Sequence, residues 1–399
     1  MKKLTLLLIL TVVTQITVIS QGCLPNGITF STQTEIDNFQ TDYPNCTEIE
    51  GAVYINDSTY GNITNLEGLN VLSRIGGQFT INDNDMLISL AGLESLDSVD
   101  LNLIISNNNS LTSIANLESL CYVKGIILIE ENTSLLTLEG LDNFDTIAVL
   151  NIIGNESLEN LFNLSNLKRV TGEFLIENNQ SLSSLSGLEN LIYAGEDVKI
   201  FNNDLLTDLN GLNNLEYIVS LLKIRYNDQL SSLDGLENLD TINSGISIND
   251  NLMLSSLESI NNSYFNFVSI YNNPILEVCN INSICNFLSI HSGEAVIHDN
   301  SIGCNSVEEV EEFCLVQVSD FYNYPDYRIY PNPAKNELTI IDSHNSSIEN
   351  SLIYNSLGQV VKRQIPINNK IDIFGLEHGI YIVELASDGL KYRFKFIKE

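Results

Sequence analysis

The chain of 399 residues carries 18 Lys and Arg against 51 Asp and Glu, a formal net charge of −33, with seven Cys and no Trp. So acidic a chain excludes non-specific nucleic-acid binding, because affinity for phosphate comes from Lys and Arg contacts; basic partners and divalent cations are the better electrostatic matches. The charge is uneven: residues 24–325 hold seven basic and 42 acidic side chains, a net of −35, whereas residues 326–399 hold nine of each, and that step marks a domain boundary.

At the N-terminus Lys2 and Lys3 precede an apolar run over residues 4–19 that ends at the small residue Ser20. This is the pattern of a secretory signal peptide over residues 1–20, too short and too polar for a membrane span. Cys23 lies three residues beyond, but Ser20-Gln21-Gly22 lacks the apolar residue expected three before a lipidated Cys. Residues 21–52 read as an N-terminal cap. Within it a short helix is predicted over residues 32–41, opened by Thr32 with Glu35 three residues later, the spacing of a capping box.

Residues 53–314 are a repeat. Isoleucine recurs eleven times, at positions 55, 81, 105, 129, 152, 176, 200, 224, 248, 270 and 297, with a period of about 24 residues. From Ile81 onward each is followed three residues later by Asn, and leucines fall at +3, +6, +9 and +12 from it, as in Leu182, Leu185, Leu188 and Leu191 after Asn179. A period this short predicts a solenoid in which each coil buries its apolar side against its neighbours. Phe174-Leu175-Ile176-Glu177 alternates as a strand does, so the coils stack into a parallel sheet. The Asn is expected to form a ladder, its amide serving backbone groups of its own and adjacent coils. Several of these Asn open Asn-x-Ser/Thr triplets; the ladder is preferred to glycosylation because the triplets coincide with the repeat.

Six of the seven cysteines mark the ends of the repeat. Cys23–Cys46 is the expected N-terminal bridge, and Cys279, Cys285, Cys304 and Cys314 admit three pairings that the sequence leaves open. Such bridges close the ends of the stack in an oxidising compartment. Cys121, after Leu120 in mid-repeat, is expected to be a buried thiol. Residues 315–325 read as a linker, and residues 326–399 as alternating apolar strands joined by Gly and Asn turns, which predicts a small β-sandwich of about five strands.

Two resemblances follow from particular residues. The stretch Asn45-Cys46-Thr47-Glu48-Ile49-Glu50-Gly51-Ala52-Val53-Tyr54-Ile55, after the capped helix, resembles the opening of a receptor L domain, the family of insulin-receptor-like and epidermal-growth-factor-receptor-like ectodomains. That implies a right-handed β-helix related to leucine-rich repeats. Tyr330-Pro331-Asn332-Pro333, Ile353-Tyr354-Asn355-Ser356-Leu357-Gly358-Gln359, Gly379-Ile380-Tyr381 and Lys395-Phe396-Ile397-Lys398 resemble, in order, the type A C-terminal sorting domain of the type IX secretion system. That resemblance implies export across the outer membrane of a Bacteroidetes-type bacterium by the type IX machinery, with release or attachment to surface lipopolysaccharide, and Pro331, Asn332, Pro333, Gly358, Gly379, Tyr381, Lys395 and Lys398 as its sorting residues. The expected fold is mainly β: a right-handed parallel β-solenoid of about eleven coils, then the small C-terminal β-sandwich.

Catalysis finds little support, with four His in all and neither a Gly-x-Ser-x-Gly elbow nor a His-Glu-x-x-His pair. An enzyme is not expected, and no cofactor is. His291 and His298 near Asp299, and the oxygens of Asn82-Asp83-Asn84-Asp85, are the weak metal candidates; both coincide with repeat or cap positions. The better site is the outward face of the main strands, the positions either side of each Ile: Leu128, Ile153, Leu175, Lys199, Phe201, Lys223, Arg225 and Tyr271. Solvated sheet faces seldom carry so many apolar residues without covering something. The expectation is a secreted, surface-displayed protein that binds an extracellular protein or glycan; the alternative is a structural surface-layer or stalk component.

Overall fold

The computed structural model describes residues 21–57, 62–291, 294–316, 327–342, 348–355, 359–387 and 390–399; residues 1–20, expected to be a signal peptide, lie outside them. The chain divides into two compact bodies, residues 1–148 and 149–399.

In the first body the capping box forms as expected. Helix α1 (Gln33–Asp42) opens at Thr32, whose Oγ1 accepts from Glu35 N at 3.3 Å while Thr32 N donates to Glu35 Oε2 at 3.0 Å. Its apolar face buries Ile36 and Phe39, and Phe39 meets Phe30 edge-on at 5.7 Å. Five parallel strands follow one another in register: Ile28–Phe30, Val53–Asn56, Phe79–Asn82, Leu103–Ser106 and Ile126–Glu130. The first adds to the eleven isoleucine-centred strands: Phe30 pairs with Ile55 and takes the isoleucine's place.

The second body continues the pattern with seven more, Val149–Ile153, Phe174–Glu177, Val198–Phe201, Leu221–Arg225, Gly245–Asn249, Val268–Tyr271 and Val296–His298. Ile152, Ile176, Ile200, Ile224, Ile248, Ile270 and Ile297 stand opposite one another from strand to strand. Each is buried, and each such side chain contributes about 1.5–3 kcal/mol by leaving water. The leucines fill the interior behind them; Leu182, Leu185, Leu188 and Leu191 are all inaccessible to solvent.

The asparagine ladder is present. Asn203, fully buried, donates from Nδ2 to Ile176 O of the preceding coil (3.0 Å) and to Phe201 O of its own (2.9 Å), while its Oδ1 accepts the Asn179 N–H at 3.1 Å. The same bonds recur at Asn108 in the first body and at Asn179, Asn227, Asn251 and Asn273 in the second. The residue before the ladder Asn lies in the left-handed region, and most are Asn, Asp or Gly, such as Asp83 at φ 58° and Asn178 at 59°; Glu131 at 52° and Tyr226 at 57° adopt it too. Gly211 serves a different turn: at φ 119° it passes so close to the preceding coil that a Cβ there would sit 2.1 Å from Leu185 O.

The coils also carry short strands that pair in parallel in two further sheets; in the second body Arg169–Val170, Tyr193–Ala194, Tyr217–Ile218, Thr241–Ile242 and Tyr264–Phe265 are successive members of one of them. Cys121 precedes one such strand, Tyr122–Val123, in the first body, and the structure corrects its assignment. Inward positions here fall three residues apart, at Leu117, Leu120 and Val123, so Cys121 and Tyr122 between the last two are left exposed, with Cys121 Sγ 3.7 Å from Asp97 O.

Three disulfides close the ends: Cys23–Cys46, Cys279–Cys304 and Cys285–Cys314. The last joins α2 (Asn282–His291) to α3 (Val307–Val316). Helix α3 thus takes the first two residues of the expected linker, and residues 317–325 lie outside the described ones. Beyond them, strands Tyr327–Tyr330, Glu337–Asp342 and Lys370–Asp372 form one antiparallel sheet, and Val360–Gln364, Ile348–Tyr354, Gly379–Ser387 and Leu390–Lys398 another. Leu338, Ile340 and Ile371 of the first sheet share one core with Ile353, Val383, Leu385 and Phe396 of the second. The sandwich has seven described strands where alternation alone predicts about five.

Candidate ligand-binding face

On the long strands of the second body the outward residues form two rows. Asn151, Leu175, Lys199, Lys223, Ser247 and Ser269 are successive partners in one; Ile153, Glu177, Phe201, Arg225, Asn249, Tyr271 and His298 in the other. The register therefore brings seven of the eight expected site residues together. Leu128 belongs to the first body, where it pairs with Ile104. Leu175 is only 8% exposed and offers little surface, while Ile153, Lys199, Phe201, Lys223, Arg225 and Tyr271 are half-buried.

The three cations are not equivalent. Lys199 pairs with Glu173 and lies 3.8 Å from Asp197, and Lys223 Nζ is 2.7 Å from Asp197 Oδ2. Burial alone would push the Asp197 carboxyl up; bonds from Lys223, Ser220 and the Leu221 amide outweigh it and hold it below the usual aspartate range. Arg225 has no carboxylate partner among the described residues. Its Nη2 donates to Ser247 Oγ at 2.8 Å and its guanidinium lies 5.8 Å from the Phe201 ring centre. Between Ile153 and Phe201 the Glu177 carboxyl is pushed up by burial, against the pull of Lys199. Tyr271 stacks on His298 at 5.1 Å, and His298 Nδ1 lies 2.7 Å from Asp299 Oδ2.

The weak metal candidates have protein partners. His291 stacks on Phe287 within α2. Asp83 Oδ2 accepts from Asn82 Nδ2 at 2.7 Å, and Asp85 Oδ1 from Asn109 Nδ2 at 2.9 Å. Among the described residues no group of three or more His, Cys, Asp or Glu is placed to hold a metal ion.

A second row escaped the sequence reading. On the short sheet Arg169, Tyr193, Tyr217, Thr241 and Tyr264 are successive partners. The Arg169 guanidinium sits 3.8 Å above the Tyr193 ring centre, and Tyr193 and Tyr217 stack at 5.9 Å with planes 5° apart. The available signal was position: Arg169, Tyr193 and Tyr217 each stand seven residues before a repeat isoleucine.

In the C-terminal sandwich, Asn332 lies between the cis peptides Tyr330–Pro331 and Asn332–Pro333. It clips the last strand, accepting from Ile397 N at 2.9 Å and donating to Lys395 O at 3.1 Å. Tyr381 stacks on Phe396 at 5.6 Å and donates to Glu377 O at 3.0 Å; Lys398 is buried, with Nζ bonded to Glu399 O. Gly379 opens the strand that carries Tyr381, and Gly358 lies outside the described residues.

Comparison with curated proteins returned no match to the chain. Residues 328–399 match the secretion system C-terminal sorting domain, which directs the protein by the type IX machinery to the cell surface or the extracellular space.

Proposed function

We propose that the chain is an exported binding protein whose repeat body presents the long-strand face to an extracellular protein or glycan, and that it acts by binding, without catalysis. One observation carries this reading. Phe201 and Arg225 stand half-buried on successive coils, and Tyr271 stands half-buried two coils further along the same row. Aromatic and arginine side chains are the residue types that dominate binding energy at interfaces. The pairing of Lys199 and Lys223 with acids favours the second reading, a structural surface component, because it spends those cations inside the protein.

The test uses the full chain against immobilised host glycans, matrix proteins and the surface polysaccharide of the producing organism. Saturable capture that Phe201→Ala, Arg225→Ala and Tyr271→Ala together remove, with an unchanged melting midpoint, supports the binding face. Capture that survives the triple substitution, or none on any surface, refutes it.

A further inference from the structure

The row of aromatic residues on the short sheet has a missing rung. Arg169, Tyr193 and Tyr217 form a continuous pile, each group stacked on the next. The following coil supplies Thr241, and the coil after it Tyr264. Tyr217 therefore keeps one face free, and at 36% exposure it is open to solvent, as is Tyr264 at 60%. Adjacent strands lie about 4.8 Å apart, so the strands that carry the two tyrosines are about 9.6 Å apart. One ring seated midway is about 4.8 Å from each, within the range at which aromatic faces make favourable contacts.

The edges of the gap carry acceptors. Exposed Glu216 and Asp240 immediately precede Tyr217 and Thr241. The Tyr264 hydroxyl donates to Asn266 Oδ1 at 2.8 Å, which holds that ring along its own coil. Carboxylates beside an aromatic face suit a ligand that offers C–H groups to the ring and hydroxyl donors at its rim. They repel an anion, as does the net charge of −35 over residues 24–325. A flat cation is the competing ligand, but Arg169 already draws on the ring electrons of the same pile.

We propose that the gap over Thr241, between Tyr217 and Tyr264, is a binding site for one uncharged pyranose ring of an oligosaccharide. It is separate from the long-strand face and stands or falls independently of it.

Because the protein lacks Trp, tyrosine fluorescence reports on it directly. The full chain is titrated with cellohexaose, xylohexaose and mannohexaose, by fluorescence and by calorimetry. At least one binds saturably. Tyr217→Ala and Tyr264→Ala each weaken binding about tenfold or more, the scale of losing one stacking partner. Thr241→Tyr fills the gap and abolishes binding without lowering the melting midpoint, whereas Thr241→Ala retains it. Binding that persists in Thr241→Tyr overturns the proposal, as does failure of all three oligosaccharides, with or without capture of an arginine-rich peptide.

Discussion

Replacing Asn203 by Ala isolates what one rung of the ladder contributes. The substitution leaves the Asn179 N–H without its acceptor and removes the side-chain donor from Ile176 O; Phe201 O keeps the Asn178 N–H at 3.0 Å. A buried donor left unpaired costs about 1–3 kcal/mol, and the weakened carbonyl adds a fraction of that. With the small void left by the amide, the expected loss is about 3 kcal/mol. Asn238→Ala is the control, since it removes one exposed bond to Asn213 O and should cost only about 0.5–1.5 kcal/mol. Urea unfolding followed by far-ultraviolet circular dichroism and tyrosine fluorescence measures both, with midpoints compared at equal slope. If Asn203→Ala shifts the midpoint no further than Asn238→Ala, the ladder is not a stabilising device and the reasoning fails.

Two carboxylates on the long-strand face should respond to pH in opposite senses. Glu177 is held above its ordinary value by burial, so its contribution is favourable below the unfolded pKa and lost as pH rises through the folded one. Glu177→Gln therefore stabilises at pH 7, and the gain vanishes below about pH 4; a gain undiminished at pH 3 contradicts this. Asp197 is held low against burial by Lys223, Ser220 and the Leu221 amide, so its contribution is present above about pH 3.9 and lost as pH falls through the folded value. Melting curves of Asp197→Asn should show a deficit at pH 7 that closes in acid. Gly211→Ala places a Cβ 2.1 Å from Leu185 O at a φ of 119° and should cost more than about 1 kcal/mol; in Gly379→Ala the nearest atom is 3.7 Å away, and an equal loss there would show that the close approach is not the cause.

The long strands were legible because one isoleucine and one asparagine, three residues apart, obey a period that only stacked coils explain. Phe30 escaped because it fills the isoleucine position with a different side chain, in the segment read as a cap. The short sheet escaped because two residues are too few for alternation to register; only its fixed position before each repeat isoleucine marked it. The left-handed residue before each ladder Asn is written in the sequence at most coils as Asn, Asp or Gly, the types that adopt that backbone most readily, and is hidden at Glu131 and Tyr226, where the ladder imposes it on a residue that does not favour it. At the face, the rows could be written down from the repeat, but the pairing of Lys199 with Glu173 joins residues 26 apart in sequence and becomes visible only once the register is known. Cys121 was misplaced because its neighbour Leu120 is core, whereas the spacing of three between inward leucines makes Val123 the next inward position and leaves Cys121 outside.

Each interior rung of the asparagine ladder bonds to the backbone of its own coil and of the one before it, and to the ladder Asn next to it, with the same few bonds from rung to rung. Nothing in that code counts. Whole 24-residue units can be added to or cut from such a stack with the ladder bonds re-formed, so the length of the strand face is a matter of copy number. Selection can lengthen or shorten the protein's reach by unequal recombination, without redesigning its interior and without touching the disulfide-closed ends.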